Sequence, residues 1–187
     1  MANKIHIPFC FTSPEAKEIY NNKPPQYETK GSSGFDLRAI GYDFSHIIHK
    51  DSSHKDCIAT GIIQKDYPIV LVPNERVLIN TGIRVILPYI TQIYELQIRS
   101  RSGLTLKQGL VVANGIGTID NDYIGEIGII LRNISSKTQT INICDRIAQG
   151  VLNPLQQVEF IEYPQEEFDK NFCKTNRGLQ GFGSTGI

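Results

Sequence analysis

Asp120, Asp122 and Tyr123 lie within four positions of one another, in a stretch that reads NGIGTIDNDYIGE from Asn114 to Glu126. A hairpin turn needs one signal such as Asn-Asp. It does not need two carboxylates, a tyrosine and three flanking glycines. An ordinary Asx-rich turn leaves that surplus unexplained. Gly115 and Gly117 can take φ > 0 and let the backbone come close to a ligand. Ile119 is an apolar anchor, and Glu126 to Leu131 runs on as a strand. The stretch 114–133 therefore predicts a β-hairpin with its chemistry at the tip.

Three other stretches carry chemistry more weakly. Arg99-Ser100-Arg101-Ser102-Gly103-Leu104 reads as a strand end entering a short helix. Ser102 at the N-cap, with the N–H groups after it, makes an anion site. Arg101 adds a planar cation suited to phosphate. The plainer reading is a capped helix beside a solvated arginine. Cys144 to Gln149 (CDRIAQ) reads as a turn entering a strand, where Asp145-Arg146 by itself is a surface pair of little worth. The tail, Arg177 to Gly186 (RGLQGFGSTG), resembles a phosphate-cradling loop in composition. It is not a Walker loop, because Ser184 stands where the lysine belongs. A phenylalanine among glycines beside an arginine suits a flap that stacks on a flat ring and closes over phosphates. A linker of no fixed structure is the bland alternative.

The elements that must position these residues are strands. Runs over 69–72, 76–87, 93–99, 126–134, 138–143, 147–152 and 157–162 are rich in Ile, Val and Leu, with Pro73, Gly82 and Pro88 as punctuation. Tyr94, Leu96 and Ile98 alternate with Glu95, Gln97 and Arg99. Short helices are expected over 13–21, with Ser13 as N-cap and Pro14 at the first position, and over 103–108. The pattern is that of an all-β sandwich or barrel of jelly-roll type. Residues 41–68 differ. They hold His46, His49 and His54 among serines and charges, a spacing that fits no standard metal-ligand pattern. After Pro164 the chain is too polar to pack alone and reads as a mobile arm.

Composition sets the outer bounds. The 187 residues carry 19 basic and 19 acidic side chains, and 40% of them are hydrophobic. That predicts one domain with arms, and nothing in it favours bulk binding to nucleic acid. No apolar run of membrane-spanning length and no secretory leader pattern are visible. Cys10, Cys57, Cys144 and Cys173 are scattered, as reduced thiols in a cytosol would be. The Asn133-Ile-Ser sequon is then incidental.

Taken together, the stretches resemble the trimeric deoxyuridine triphosphatase (dUTPase) family. Its five motifs occur in order: GSSGFDLRA (31–39), RSGLTLKQG (101–109), NGIGTIDNDYIGE (114–126), DRIAQ (145–149) and RGLQGFGSTG (177–186). The resemblance implies an all-β, distorted jelly-roll-like barrel with one short helix, over 1–163 with an inserted loop at about 43–68 (set by the motif spacing). It also implies a C-terminal arm, 164–187, exchanged in a homotrimer with shared active sites. The implied reaction is Mg²⁺-assisted hydrolysis of dUTP to dUMP and pyrophosphate, which keeps uracil out of DNA and supplies dUMP for thymidylate synthesis. The expected setting is cytoplasmic, without membrane or direct nucleic-acid contact.

Roles carry over at matching positions. Asp120 matches the aspartate that activates water, and Tyr123 the tyrosine under the deoxyribose. Asn114, Gly117 and Thr118 match the uracil pocket. Arg101, Ser102, Gly103 and Gln149 match the phosphate cradle. Asp36 matches the aspartate that reaches Mg²⁺ through water, and Arg146 resembles a structural arginine. Arg177, Phe182, Gly183, Ser184 and Thr185 match the flap. Departures are Cys144 in place of glycine, Leu179-Gln180 in place of an acidic-glycine pair, and the long spacing between Asp36 and Ser102. Two competing readings are a dCTP deaminase of related fold and a nucleotide-sensing regulatory module. The first wants a proton-relaying glutamate by the base, whereas Glu126 lies beyond the turn. The second would lack Asp120 or the tail arginine, and both are present.

Overall fold

The computed structural model describes residues 5–42, 47–50, 56–59, 68–89 and 93–173, with backbone alone for residues 42, 47–50 and 56–59. In chain order the elements are β1 (Phe9–Phe11), α1 (Pro14–Ile19), β2 (Phe35–Arg38), β3 (Gly41–Tyr42), β4 (Ile47–Lys50), β5 (Asp56–Ala59), β6 (Ile69–Leu71), β7 (Arg76–Val85) and β8 (Ile93–Arg99). Then come α2 (Ser102–Gln108), β9 (Leu110–Val112), β10 (Ile116–Ile119), β11 (Glu126–Asn133), β12 (Gln139–Ile141), β13 (Arg146–Leu155) and α3 (Gln165–Phe172). The chain divides into two compact units, 1–155 and 156–187.

Three antiparallel sheets build the first unit. The largest runs β5-β4-β7-β11-β9, with β1 and β3 also paired to β7. A second runs β10-β8-β13-β2, and β12 pairs with β6 in a third. Their inner faces share one core. Val77, Ile79 and Ile83 of β7 and Ile127, Ile129 and Leu131 of β11 meet Leu37, Leu96, Ile98 and Ile147 of the four-stranded sheet. Alternation produces this directly, since every second residue of a strand faces inward. On β8, Leu96 and Ile98 are buried while Glu95, Gln97 and Arg99 are half-buried. The result is the all-β, jelly-roll-like fold that the spacing of the strands predicts.

Some expectations fail for physical reasons. The hairpin expected over 114–133 does not form. β10 pairs with β8, whereas β11 pairs with β7 and β9 in the other sheet. The turn between them is a crossing from one layer to the other. Alternation fixes which face a strand buries, not which neighbour it pairs with. Residues 157–162 have strand composition but no partner strand and remain irregular. The segment after Pro164, expected to lack structure, contains α3. There Tyr163 and Phe168 each meet Phe172, with ring centroids 5.2 and 5.5 Å apart. The helix over 13–21 is α1. Ser13 caps it by accepting from the Ala16 N–H at 3.1 Å, and Pro14 stands in its first turn. Within the expected insertion, β4 and β5 pair as a hairpin that extends the large sheet through Ile48↔Arg76. His46 and His54 lie outside the described residues, as does the side chain of His49.

Buried polar groups fix the layers in register. Asn133 is fully buried. Its Nδ2 donates to the carbonyls of Leu71 and Lys137 at 2.9 and 2.8 Å, and its Oδ1 accepts from Ser135 N–H and Oγ–H at 2.9 and 2.8 Å. An asparagine so engaged is closed to glycosylation. Tyr20, 6% exposed, accepts a 2.9 Å hydrogen bond at its hydroxyl from the Arg38 N–H and so ties α1 to β2. Burial pushes its phenol up to about 12, against a smaller downward pull from that hydrogen bond and from Arg38. A folded pKa above the unfolded value means the folded state holds its proton more tightly. The contribution is therefore complete below pH ~10 and lost as pH rises toward ~12. Urea midpoints across that window should fall by an equivalent of roughly 2–3 kcal/mol. In Tyr20→Phe this component of the fall should be absent.

Candidate active site

A cleft of ≈ 250 Å³ is lined by Glu28, Ser32, Ser33, Gly34, Asp36, Arg101, Ser102, Gly103 and Gln149. Four separate stretches meet there because three elements converge. β2 lies beside β13, with Asp36 opposite Gln149, and β13 lies beside β8, with Gln149 opposite Arg99. The end of β8 then runs straight into α2. Asp36 is the tie. Its Oδ1 receives Arg101 Nε at 2.8 Å, and its Oδ2 receives Arg146 Nη1 at 3.2 Å. Arg101 also donates to the Arg146 carbonyl at 3.1 Å. The same Arg146 Nη1 reaches Glu28 Oε1 at 2.8 Å. Burial pulls the Arg146 guanidinium down, but Asp36 and Glu28 more than reverse this, so its pKa lies above the ordinary value.

The cleft exposes donors suited to anions. Ser102 is not the N-cap expected of it. Arg101 holds that position with extended backbone, and Ser102 is the first helical residue, with no side-chain cap bond. Its hydroxyl is thereby left for the cleft. The first N–H groups of α2 have no acceptor within the helix. Gln149 donates Nε2 to the Ser100 carbonyl at 3.0 Å, which fixes its amide. Gly34 lies directly beneath it, and a Cβ there would come within 2.7 Å of Gln149 Oε1.

The β10 turn is a second constellation. Asn114 lies over Gly117, which is buried against Ile98. Thr118 and Asp120 are exposed, and the Asp120 carbonyl accepts the Tyr123 N–H at 3.1 Å. Tyr123 donates its hydroxyl to the Glu126 carbonyl at 2.8 Å, folding its ring over Gly125. A Cβ at Gly125 would meet the Tyr123 hydroxyl oxygen 2.4 Å away, so only glycine admits this pose. Asn121, which the sequence reading passes over, anchors the turn by donating to the carbonyls of Pro88 and Tyr94 at 3.1 and 3.3 Å. Glu126, beyond the turn, accepts the Gly82 N–H at 2.7 Å.

The two constellations stand apart within one chain. Asp36, Gln149, Arg99 and Ile116 lie at one level across the four-stranded sheet. Three strand spacings separate β2 from β10, about 14 Å. Asp120 lies four residues farther along, a further ~13 Å. The flap residues Arg177, Phe182, Gly183, Ser184 and Thr185 lie outside the described residues.

Among the described residues no three His, Cys, Asp or Glu side chains gather into a metal cage. The Asp36 carboxylate is 13% exposed and opens on the cleft beside its two arginines. A carboxylate has about four acceptor positions. The rest suit a hydrated cation that arrives on phosphate oxygens, the usual habit of Mg²⁺.

Comparison with known proteins places this geometry. The sequence model of the dUTPase family matches residues 62–186. The deoxyuridine 5'-triphosphate nucleotidohydrolase of Chlamydia caviae is 44% identical over 162 residues, 87% of this chain and 90% of that protein. That of Fusobacterium nucleatum is 41% identical over 162 residues, 87% and 88% of the two chains. Among solved structures, the fold is similar to a mutant Staphylococcus bacteriophage 80alpha dUTPase with dUpNHpp, at a TM-score of 0.69 and 21% identity over 98% of this chain and 100% of that one. It is also similar to a mutant dUTPase from phage phi11 of S. aureus with a coordinated structural Mg(II) ion, at a TM-score of 0.62 and 21% identity over 86% and 98% of the chains.

One residue of the cluster carries backbone strain. Cys144 has φ +75°, the left-handed region that favours glycine. Its neighbours force this. Cys144 N–H donates to the Ala39 carbonyl at 2.8 Å, its own carbonyl accepts Arg38 Nη1 at 2.8 Å, and Asp145 Oδ2 accepts the Asn142 N–H at 2.7 Å. These bonds hold the turn closed with a cysteine in the left-handed region. Cys144→Gly should stabilise the protein by roughly 1 kcal/mol, read as a higher urea midpoint, since relief of the strain outweighs the added chain entropy.

Proposed function

This chain belongs to the dUTPase family, and from that premise we propose that it hydrolyses dUTP to dUMP and pyrophosphate. The observation that carries the reading is the cleft in which Arg101, Ser102, Gly103 and Gln149 surround the doubly paired Asp36. Ser102, the N–H groups after it and Gln149 cradle the phosphates. Arg101, oriented by Asp36, keeps the cradle in shape. Asn114 and the backbone at Gly117 and Thr118 read the uracil edge. Close backbone approach there leaves no room for the extra methyl of thymine. A cytosine would set a donor against a donor, and leaving such groups unpaired costs on the order of 10⁴ in discrimination. The ring of Tyr123 packs under the deoxyribose and rejects a 2′-hydroxyl.

Asp120 takes a proton from water as that water attacks the α-phosphorus. The α–β bridging oxygen departs with pyrophosphate, and the former water oxygen stays on dUMP. Asp36 would hold Mg²⁺, and the ion would supply charge neutralisation to the phosphates. Positioning does much of the work, so the base needs no unusual acidity. The arm, 164–187, brings Arg177 and Ser184-Thr185 over the β- and γ-phosphates and stacks Phe182 on uracil. The reaction keeps uracil out of DNA and supplies dUMP for thymidylate synthesis in the cytoplasm.

Distance supports a site shared between subunits. A general base must lie within about one water of its target. Asp120 and the cleft of the same chain are too far apart to share one nucleotide. A homotrimer resolves this if each β10 turn faces the cleft of a neighbour and each arm closes over a third subunit's site.

Asp120→Asn should lower kcat on dUTP by about 10³-fold, measured as pyrophosphate release, with dCTP, dTTP and UTP as controls. Asp120→Asn and Ser102→Ala chains, each weak alone, should regain activity when unfolded and refolded together. Mixtures no better than the sum of the two would sink the shared site while leaving the chemistry intact.

A further inference from the structure

Glu28 has no role in the mechanism above, yet it stands at the mouth of the phosphate cleft. On the reading that this cleft holds the triphosphate, we infer that Glu28 is a specificity-determining residue that reserves it for the cation-complexed nucleotide over the bare one. The argument is a balance of charge. Two guanidiniums, Arg101 and Arg146, serve the cleft, and two carboxylates, Asp36 and Glu28, are paired with them. Among the described residues that line or directly support it, the cleft is neutral before any ligand arrives.

The two carboxylates are not equivalent. Asp36 is 13% exposed and holds both arginines, so the cluster needs it. Glu28 is 58% exposed and comes from the loop between α1 and β2. Arg146 already has Asp36, and an exposed ion pair adds little stability. What Glu28 supplies is a full negative charge on the path of three phosphates. A bare triphosphate meets that charge as repulsion. A triphosphate carrying a divalent cation has its charge reduced by two and presents the hydration shell of the ion to the same carboxylate. Glu28 is therefore a repulsive element set against the wrong form of the substrate, the usual means by which one ligand is preferred to a near relative.

The test is calorimetric binding of the non-hydrolysable α,β-imido analogue of dUTP to the full-length assembly, with Mg²⁺ and with EDTA, at low ionic strength. Glu28→Gln keeps the shape and removes the charge. It should tighten metal-free binding by about five- to tenfold while leaving the Mg²⁺ complex within about twofold, and the difference should shrink in added salt. Glu28→Asp keeps the charge and should keep the wild-type ratio of the two affinities. Equal changes in both forms for Glu28→Gln, or an Asp variant that behaves like Gln, would mean that Glu28 only fastens its loop, and the inference would be overturned. Wild-type protein that binds neither form would overturn the reading of the cleft itself, and this inference with it.

Discussion

A carboxylate between two guanidiniums holds this structure's chemistry together. Asp36 on β2 fastens Arg101, at the junction of β8 and α2, to Arg146, at the start of β13. Each contact is modest in water. They are mutually dependent, because removing the central, mostly buried carboxylate leaves two cations facing each other. The remaining features of the cleft follow from this tie. It sets the orientation of Arg101, the start of α2 and so the free hydroxyl of Ser102. The neighbouring strand pair places Gln149 opposite Asp36.

The second constraint is the crossing between β10 and β11. The chain leaves the four-stranded sheet there and enters the large one, and residues 122–124 of the turn are exposed. Asn121 pins one side of that turn and Tyr123, folded over Gly125, stiffens the other. The turn is rigid but far from the cleft of its own chain. One chain thus presents two separate constellations, one at each end of the four-stranded sheet's width.

The sequence disclosed the parts better than their arrangement. Alternation on β8 and the Ser13-Pro14 start of α1 are local facts, decided by residues within one turn or one strand, and they were legible. The partner of β10 was not, since alternation says which face is buried and nothing about which edge is met. Residues 157–162 show the same limit: strand-like composition without a strand to pair with. α3 escapes the sequence reading because its segment is polar, and its ring contacts to Phe172 leave no periodic apolar pattern. Ser102 reads as a cap in sequence because serine usually is one. The backbone placed Arg101 there instead, and the serine was spared for the cleft. Glu28 gave no signal at all. It belongs to no local pattern and gains meaning only from Arg146, 118 positions away.

That span has a kinetic side. The two ion pairs of Arg146 in the cleft join positions separated by 110 and 118 residues, and closing such long loops is slow and entropically costly. A growing or partly folded chain can form α1, α2 or the β4–β5 hairpin from near neighbours. It cannot form the cleft until β2 and β13 have met, which requires almost the whole barrel. The cleft is thus among the last features expected to assemble, and an intact cleft would itself report that folding is complete.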